Sequence, residues 1–341
     1  MTDTQQVNVL TTDLSMHLEQ RPVPEPGPNE VQIAVKSVGI CGSDIHYYEH
    51  GRIGSFIVEQ PLVLGHEASG VITKVGSNVT KLTPGMRVAM EPGVPCKTCT
   101  QCRAGNYNLC PGVIFFATPP VDGTFAQFIT LDQDFAHPIP DHVSFDAAAL
   151  MEPLSVGIWA NRKANTKPGS RVLITGAGPI GILNAMVAKA SGAAHITITD
   201  TNDDRLAKAK ELGFTTINPT MDAIDDEDAP FDILIECSGA PAAISQGIRA
   251  LGPAGTAILV GMAPTSTIEV PIDAIQSKEI WLTGTFRYAN TYPTAVELVA
   301  SGAIDLDQLV SKVFTLEEAE QALTYSTTDP AAMKVVVRVS E

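Results

Sequence analysis

Long hydrophobic runs and positive charge are scarce in this sequence. No uninterrupted apolar stretch approaches the ~20 residues that span a bilayer, so we expect no membrane segment and no membrane partner. Only 22 Lys and Arg stand against 38 Asp and Glu, and the net charge of −16 disfavours nucleic acid as a partner. The amino terminus has no charged region followed by an apolar run, so nothing points to an oxidising compartment. We therefore expect a cytoplasmic protein.

The 341 residues are enough for two domains, and the pattern of the chain changes after Pro153. Before about Phe135, short alternating stretches punctuated by Gly and Pro predict a strand-rich, barrel-like domain. After Pro153, strand-like and helix-like patterns alternate, which predicts an α/β fold with a doubly wound parallel sheet. The six candidate strands are Val172–Thr175, His195–Thr199, Thr215–Ile217, Ile233–Cys237, Thr256–Val260 and Ile280–Leu282.

A G-x-G-x-x-G segment follows the first of these strands and opens an apolar helix, and Asp200 stands at the end of the next strand. This context is typical of dinucleotide binding, because the glycines permit a tight turn and let backbone amides approach pyrophosphate. Asp200 would accept hydrogen bonds from the adenosine ribose and repel a 2′-phosphate, which favours NAD over NADP; alternatively, it only caps the following helix. The predicted cofactor-binding residues are Gly176, Gly178, Pro179, Ile180, Gly181, Asp200 and Arg205.

Four of the six cysteines follow the pattern C-x2-C-x2-C-x7-C within a segment of loop-forming residues. Short spacings of this kind let thiolates converge on one tetrahedral ion, so the pattern predicts a structural zinc site and makes a disulfide pair the weaker interpretation. The predicted ligands are Cys96, Cys99, Cys102 and Cys110. Cys237 lies in an apolar strand and is interpreted as core packing.

Several further segments resemble one family. Cys41 lies in GICGSDIH and His66-Glu67 in GHEASG, and these accompany FFATPPVDGTFAQF, MEPLSVG, GAGPIG and GTFRYANTYP. Together with the four-cysteine lobe they resemble the zinc-containing medium-chain dehydrogenase/reductase superfamily, in particular its sorbitol, xylitol and arabinitol dehydrogenases. The resemblance extends over essentially the whole chain. It implies a Rossmann domain with NAD and a β-rich, GroES-like catalytic domain.

The resemblance also implies a catalytic zinc ion held by Cys41, His66 and Glu67, with one open position for water or substrate. With the cysteine lobe, this makes two zinc ions per subunit. The alcohol dehydrogenase branch uses a second cysteine as its third protein ligand, but the corresponding region 150–153 has none, which supports the polyol branch. Glu152 is expected to hydrogen-bond the zinc-bound water or at times to approach the metal.

The implied activity is the reversible, NAD-dependent oxidation of a secondary hydroxyl of a sugar alcohol to the ketose, by hydride transfer from a zinc-stabilised alkoxide. Ser43 and His46 match the family's proton relay, the water near Glu152 offers a competing route, and the sequence does not rank the two. His46 could instead be a surface residue, and the substrate residues could instead be core packing or, for the arginine, an ion-pair partner. The implied substrate residues are Tyr47, Phe56, Phe115, Thr118 and Arg287.

We therefore expect a catalytic domain of residues 1–152 with the zinc lobe at 91–112, a nucleotide domain of residues 153–286, and a return to the catalytic domain at 287–341. The family resemblance implies a homotetramer. Two alternatives stay open: a threonine 3-dehydrogenase or butanediol dehydrogenase of the same superfamily, and a non-catalytic zinc protein with a structural or sensing role. The preferred polyol is not determined by the sequence.

Overall fold

The computed structural model describes residues 3–224 and 230–340, and the chain divides into two compact units. The first unit comprises Met1–Glu152 and Tyr292–Glu341, and the second comprises Pro153–Thr291. The chain returns to the first unit at Tyr292, later than the predicted residue 287. Arg287 accordingly lies in the second unit.

The strands of the first unit precede and follow those of the second along the chain. In chain order the strands are β1 Thr4–Leu10, β2 Met16–Pro22, β3 Glu30–Gly39, β4 Arg52–Ile53, β5 Phe56–Ile57, β6 Leu62–Val63, β7 Glu67–Val75, β8 Arg87–Met90, β9 Gly93–Val94, β10 Ile114–Phe115, β11 Phe128–Asp132, β12 Ala136–Pro138, β13 Arg171–Thr175, β14 His195–Thr199, β15 Thr215–Ile217, β16 Phe231–Glu236, β17 Leu251–Leu259, β18 Trp281–Gly284, β19 Val310–Thr315 and β20 Lys334–Arg338.

The α-helices concentrate in the second unit and in the last part of the first. They are α1 Gly42–His50, α2 Thr100–Arg103, α3 Phe145–Ala149, α4 Met151–Lys163, α5 Pro179–Ala190, α6 Asp203–Glu211, α7 Pro241–Ala250, α8 Ile272–Ser277, α9 Tyr292–Ala300 and α10 Ala319–Thr328. No helix of the described residues is both long and apolar enough to cross a membrane.

The first unit is built on a seven-stranded sheet in the order β12-β8-β7-β3-β20-β19, with β11 also pairing with β3. Strand β3 is antiparallel to both β7 and β20. On β3, Val31, Ile33 and Val35 alternate along the strand and are fully buried, as expected when one face of a pleated strand covers a core. The predicted β-rich domain is confirmed.

The second unit contains a six-stranded parallel sheet in the order β15-β14-β13-β16-β17-β18. Val172, Leu173 and Ile174 of β13 are fully buried, because a central parallel strand is covered on both faces by helices. The order reverses between β13 and β16, which makes the carboxyl ends of these two strands the switch point of the sheet. The predicted doubly wound α/β fold is confirmed.

Candidate metal and nucleotide sites

Cys41, His66 and Glu67 converge in the first unit, with one ligand atom from each within 4.8 Å of the others. The pairing of β3 with β7 brings them together, because Gly39 at the end of β3 lies opposite Glu67 at the start of β7. A Cβ added to Gly39 would stand 2.2 Å from Glu67 Oε2, so this glycine leaves the space that the carboxylate fills. His66 and Glu67 are buried, and Cys41 is half-buried.

Asp44 orients the imidazole of His66 and was not singled out by the sequence. Its Oδ1 lies 3.5 Å from His66 Nδ1 and accepts the N–H of Gly65, while its Oδ2 accepts the N–H of Cys41. This contact on Nδ1 leaves Nε2 as the His66 nitrogen for a metal, an arrangement that commonly fixes the tautomer of metal-binding histidines. The sequence feature that could have identified Asp44 is its position three residues after Cys41, where an acidic side chain caps the start of α1.

The charges around His66 favour a cation. Burial lowers the pKa of His66, but the carboxylate of Asp44 and the thiolate of Cys41 outweigh it and raise that pKa well above its usual value. Burial raises the pKa of Asp44, yet the charge of His66 and the donated hydrogen bonds bring it below the ordinary value. A thiolate, an imidazole and a carboxylate that converge in this way form a donor set that fits zinc.

Lys334 is a second residue that the sequence did not single out. Its Nζ donates to Glu67 Oε1 at 2.7 Å and to the carbonyl of Ile40 at 2.6 Å, and the lysine is 4 % exposed. Glu67 Oε2 lies 2.6 Å from the same nitrogen but accepts no hydrogen bond of normal geometry. One buried oxygen of the candidate ligand thus lacks a hydrogen bond, which also fits a metal at this position. The sequence feature that could have identified Lys334 is its position as a single lysine inside the apolar run 333–337.

The other predicted catalytic residues lie on helices that start near this cluster. Ser43 and His46 lie on α1, directly after Cys41, and both are half-buried. The His46 ring meets the His50 ring edge to face at 4.7 Å. Glu152 is buried in the first turn of α4. The described residues contain two groups that could hold a metal, and Glu152 belongs to neither.

The predicted substrate residues of the first unit differ in their burial and surroundings. Phe115 is buried, with its ring centroid 5.7 Å from that of His66. Tyr47 is buried and belongs to the hydrophobic core of the unit. Phe56 is 43 % exposed on the β4–β5 hairpin and lines a cavity of about 620 Å³ with Pro119, the residue after Thr118. The contact with His66 places Phe115 next to the metal group.

The four cysteines of the lobe form the second group, with ligand sulfurs within 4.8 Å of one another. Hydrogen bonds from Thr98 and Cys99 lower the pKa of Cys96 to about 6, whereas burial and neighbouring thiols raise the pKa of Cys102 to about 12. A bound cation deprotonates coordinating thiols outright, so the cluster fits a closed, four-sulfur zinc site.

The glycine-rich turn of the second unit has the geometry of a phosphate cradle. Gly176 adopts a left-handed φ of +93°, and Gly178 is the N-cap of α5 with Pro179 at its first position. A Cβ added to Gly181 would stand 1.8 Å from the Gly176 carbonyl oxygen, so only glycine fits there. A Cβ added to Gly178 would meet only Arg205 Nη1, at 3.9 Å. That open space is where the turn can approach a pyrophosphate, so these residues fit a dinucleotide.

Asp200 follows β14 and contacts this turn. Its Oδ2 accepts the N–H of Ala177 at 2.7 Å and its Oδ1 accepts the N–H of Asn202 at 2.9 Å. The N-cap of α6 is Asn202, whose side chain accepts the N–H of Arg205. The helix-cap interpretation of Asp200 is therefore wrong, because the residue two positions later performs that role.

Arg287 lies in a loop that α4 holds in place. The guanidinium of Arg162 donates to the carbonyls of Ala289 and Asn290, and Lys163 Nζ donates to that of Gly284. Arg287 itself has a left-handed φ of +52°, and its guanidinium lies 5.0 Å from the centre of the Phe286 ring.

Two family models match the chain: "Alcohol dehydrogenase GroES-like domain" over residues 27–141, and "Zinc-binding dehydrogenase" over residues 179–301. Sorbitol dehydrogenase from Bos taurus is 46% identical over 320 residues, covering 91% of this chain and 90% of the relative. The structure of L-idonate 5-dehydrogenase from Escherichia coli matches with a TM-score of 0.93 and 32% identity, over 99% of both chains.

The structure of 2R,3R-butanediol dehydrogenase from Bacillus subtilis matches with a TM-score of 0.90 and 28% identity, over 98% of this chain and 100% of that one. The matches thus include several substrate specificities on one fold, and the sequence similarity to sorbitol dehydrogenase extends over both units. The chain belongs to the zinc-containing medium-chain dehydrogenase/reductase superfamily, in its polyol dehydrogenase branch.

Proposed function

We propose that this protein catalyses the reversible, NAD-dependent oxidation of a secondary hydroxyl of a sugar alcohol to a ketose. The observation that carries the proposal is the Cys41–His66–Glu67 group, in which the histidine and the glutamate are buried, in a chain 46% identical to sorbitol dehydrogenase. The enzyme assignment follows from the family, and the intact donor set argues against the alternative of a non-catalytic zinc protein.

Cys41, His66 and Glu67 would hold the catalytic zinc. Bound there, zinc acts as a Lewis acid that lowers the pKa of a hydroxyl group, as it does for water. Asp44 fixes the imidazole of His66. The Phe115 ring, which packs 5.7 Å from the His66 ring, excludes water from one side of the group.

The hydroxyl proton has two candidate routes. Ser43 and His46 follow Cys41 on α1 and could pass the proton onward, whereas Glu152 could receive it through a water molecule. The pH profile of turnover in His46→Ala and in Glu152→Gln separates them. A group that accepts the proton must be deprotonated, so only the variant that interrupts the working route loses the fall in turnover at low pH.

The second unit would bind NAD at the turn formed by Gly176, Gly178, Pro179, Ile180 and Gly181. The backbone amides at the start of α5 face the open space next to Gly178, which supports pyrophosphate binding there. Asp200 would bind the adenosine ribose, and Arg205, beside Gly178, would contact the adenosine half of the cofactor. Phe56, Tyr47, Thr118 and Arg287 stay proposed substrate residues, with Arg287 offering a fork of donors suited to several hydroxyls.

The four lobe cysteines would hold a second, structural zinc ion. Their use as thiolates requires a reducing compartment, which supports a cytoplasmic location. Pairing between subunits, as in the homotetramer that the family resemblance implies, is supported by β18, the edge strand of the parallel sheet, where Trp281 is 74 % exposed and Leu282 38 % exposed. An exposed apolar edge strand is a common place for pairing between chains.

The decisive experiment measures NADH formation with xylitol, sorbitol, ribitol, the arabinitols, threonine and 2,3-butanediol. Turnover of one or more polyols well above the turnover of threonine and 2,3-butanediol supports the proposal. Higher kcat/KM for threonine or butanediol would assign the protein to the alternative dehydrogenase class. The Cys41→Ser variant, analysed for zinc, is the control: it should lose catalytic metal and turnover together.

A further inference from the structure

Glu236 lies at the switch point of the parallel sheet and has no part in the function proposed above. It is the last residue of β16 and is paired in register with Thr175, the last residue of β13. These are the two strands between which the strand order reverses, and dinucleotides bind across the crevice at such points. Glu236 is fully buried there.

The Glu236 carboxylate holds the loop that follows it. Its Oε1 accepts the N–H of Ser238 at 2.8 Å and the N–H of Gly239 at 2.9 Å, as well as the hydroxyl of Thr175 at 3.2 Å. The Ser238 hydroxyl also donates to the same oxygen. Burying a carboxylate is unfavourable unless such donors surround it. The carboxylate therefore holds the loop in its conformation, and the donors of the loop stabilise the buried carboxylate.

Three loops meet around this carboxylate, backbone against backbone. A Cβ added to Gly176 would stand 3.1 Å from Ser238 N, and one added to Gly261 would stand 2.3 Å from Gly239 N and 2.9 Å from Glu236 Oε2. Glycine at both positions lets the turn after β13 and the loop after β17 pack directly on residues 237–239. The loop that Glu236 fixes is thus the middle one of the three at the crevice.

A carboxylate does more at this position than a neutral acceptor would. Glu236 Oε2 is buried and has no hydrogen-bond partner among residues 3–224 and 230–340. A glutamine or a hydroxyl residue could cap the loop through one oxygen alone, without a buried charge. The full carboxylate makes charge-assisted bonds, which are about twice as strong as neutral ones, and so holds residues 237–239 more rigidly.

We propose that Glu236 is a positioning residue for the nicotinamide half of the cofactor, an inference that rests on NAD binding to the second unit. Asp200 lies beyond β14, on one side of β13, and marks the adenosine half. The cofactor crosses the switch point, so its other half lies over the ends of β16 and β17. Glu236 fixes the loop beneath that half without touching the cofactor.

The test compares Glu236→Leu, which removes the acceptor, with Glu236→Gln, which keeps a neutral one. Dissociation constants for NADH and for AMP are measured by fluorescence and calorimetric titration, beside the melting temperature. We expect Glu236→Leu to weaken NADH binding about tenfold or more, because charge-assisted bonds are lost, and to leave AMP binding within about twofold. Glu236→Gln should fall between Glu236→Leu and the wild type.

Asp232→Leu is the matched control, since Asp232 lies at the other end of β16 and accepts the N–H of Arg171. It should leave both dissociation constants unchanged. If Glu236→Leu does not fold, Gly261→Ala displaces the same loop by its Cβ and should show the same selective loss of NADH binding. Equal weakening of AMP and NADH, or unchanged NADH binding with a lower melting temperature, would overturn the inference. A wild type that binds no NADH would instead refute the proposed function.

Discussion

The ammonium group of Lys334 lies 2.6 to 2.7 Å from both carboxylate oxygens of Glu67, and both side chains are buried. Glu67 is also one of the three candidate metal ligands. The same carboxylate therefore faces a fixed cation and a metal position. The ion pair offsets part of the negative charge that Cys41 and Glu67 bring to the centre, which leaves more of the metal's charge to act on a bound hydroxyl.

Replacing Lys334 with methionine should destabilise the zinc-free protein more than the zinc-loaded one. Removing one partner of a buried pair costs about 3–5 kcal/mol, because a charge is left uncompensated, and zinc supplies a replacement charge to Glu67. Thermal unfolding before and after chelation measures the difference. Lys74→Met is the control, since Lys74 pairs with Glu25 on the surface at 2.6 Å and should change stability by only about 0–1 kcal/mol in both states. Equal effects of the two substitutions would argue against this role.

Glu67→Ala and Glu152→Gln should separate metal binding from turnover. Glu67→Ala removes a candidate ligand and is expected to lower zinc occupancy. Glu152→Gln should keep zinc and lose about 10–100-fold in turnover, the usual effect of disturbing groups around metal ligands. Metal analysis together with steady-state kinetics shows whether each variant loses zinc or loses turnover with zinc still bound. Loss of zinc from Glu152→Gln would make Glu152 a ligand, and normal turnover would remove it from the mechanism.

Zinc affinity at the catalytic centre should fall as the pH is lowered. Because the pKa of His66 is raised in the folded protein, its proton stabilises the zinc-free protein at pH values below the ordinary histidine pKa near 6.5. This contribution disappears as the pH rises through the raised pKa. Zinc must displace that proton, so affinity should drop about tenfold per pH unit for each proton displaced. Competition with a chromophoric chelator measures this dependence.

Asp44→Asn should flatten that pH dependence, because the carboxylate that raises the pKa of His66 is gone. His137→Gln is the matched control: His137 pairs with Glu91 at 2.9 Å, and neither residue belongs to the metal group. The slope of zinc affinity against pH in His137→Gln should equal that of the wild type. An unchanged slope in Asp44→Asn would show that another group binds the displaced proton.

Mild chelation should remove the catalytic zinc first. The cysteine lobe offers four sulfur ligands, whereas the centre of Cys41, His66 and Glu67 keeps an open position. Activity is expected to vanish while far-UV circular dichroism stays that of the folded protein. Cys99→Ser should instead loosen the lobe and any subunit contact it makes. Fully active protein with one zinc per subunit would contradict the two-site assignment.

Asp200→Ala should weaken NAD binding and admit NADP. The substitution removes a negative charge that would repel a 2′-phosphate, and Thr201 and Asn202 next to it are neutral. Adding Thr201→Arg should shift the preference further. The measurement is kcat/KM for both cofactors. Asn202→Ala removes the N-cap of α6, which costs about 1 kcal/mol, but should leave the cofactor ratio unchanged. Comparable native kcat/KM values would remove Asp200 from cofactor selection.

The sequence predicted the parts of the sites that are local along the chain. The turn from Gly176 to Gly181 depends on backbone geometry within six residues, and the cysteine lobe closes within fifteen. The apolar helix that the glycine segment was predicted to open runs from Pro179 to Ala190. Sequence periodicity was less able to place ends that depend on packing: β17 starts at Leu251, earlier than the predicted Thr256, and β16 starts at Phe231, earlier than the predicted Ile233.

Contacts between distant segments were decided by the tertiary structure. Lys334 meets Glu67 from 267 positions away because β20, β3 and β7 are neighbours in one sheet. Glu236 meets the glycine turn because β16 pairs with β13. By itself, the sequence determined the ligand types, the nucleotide turn and the family. The counter-charge on Glu67 and the support beneath the crevice required the fold, because strand order and register are set by the packing of the whole core.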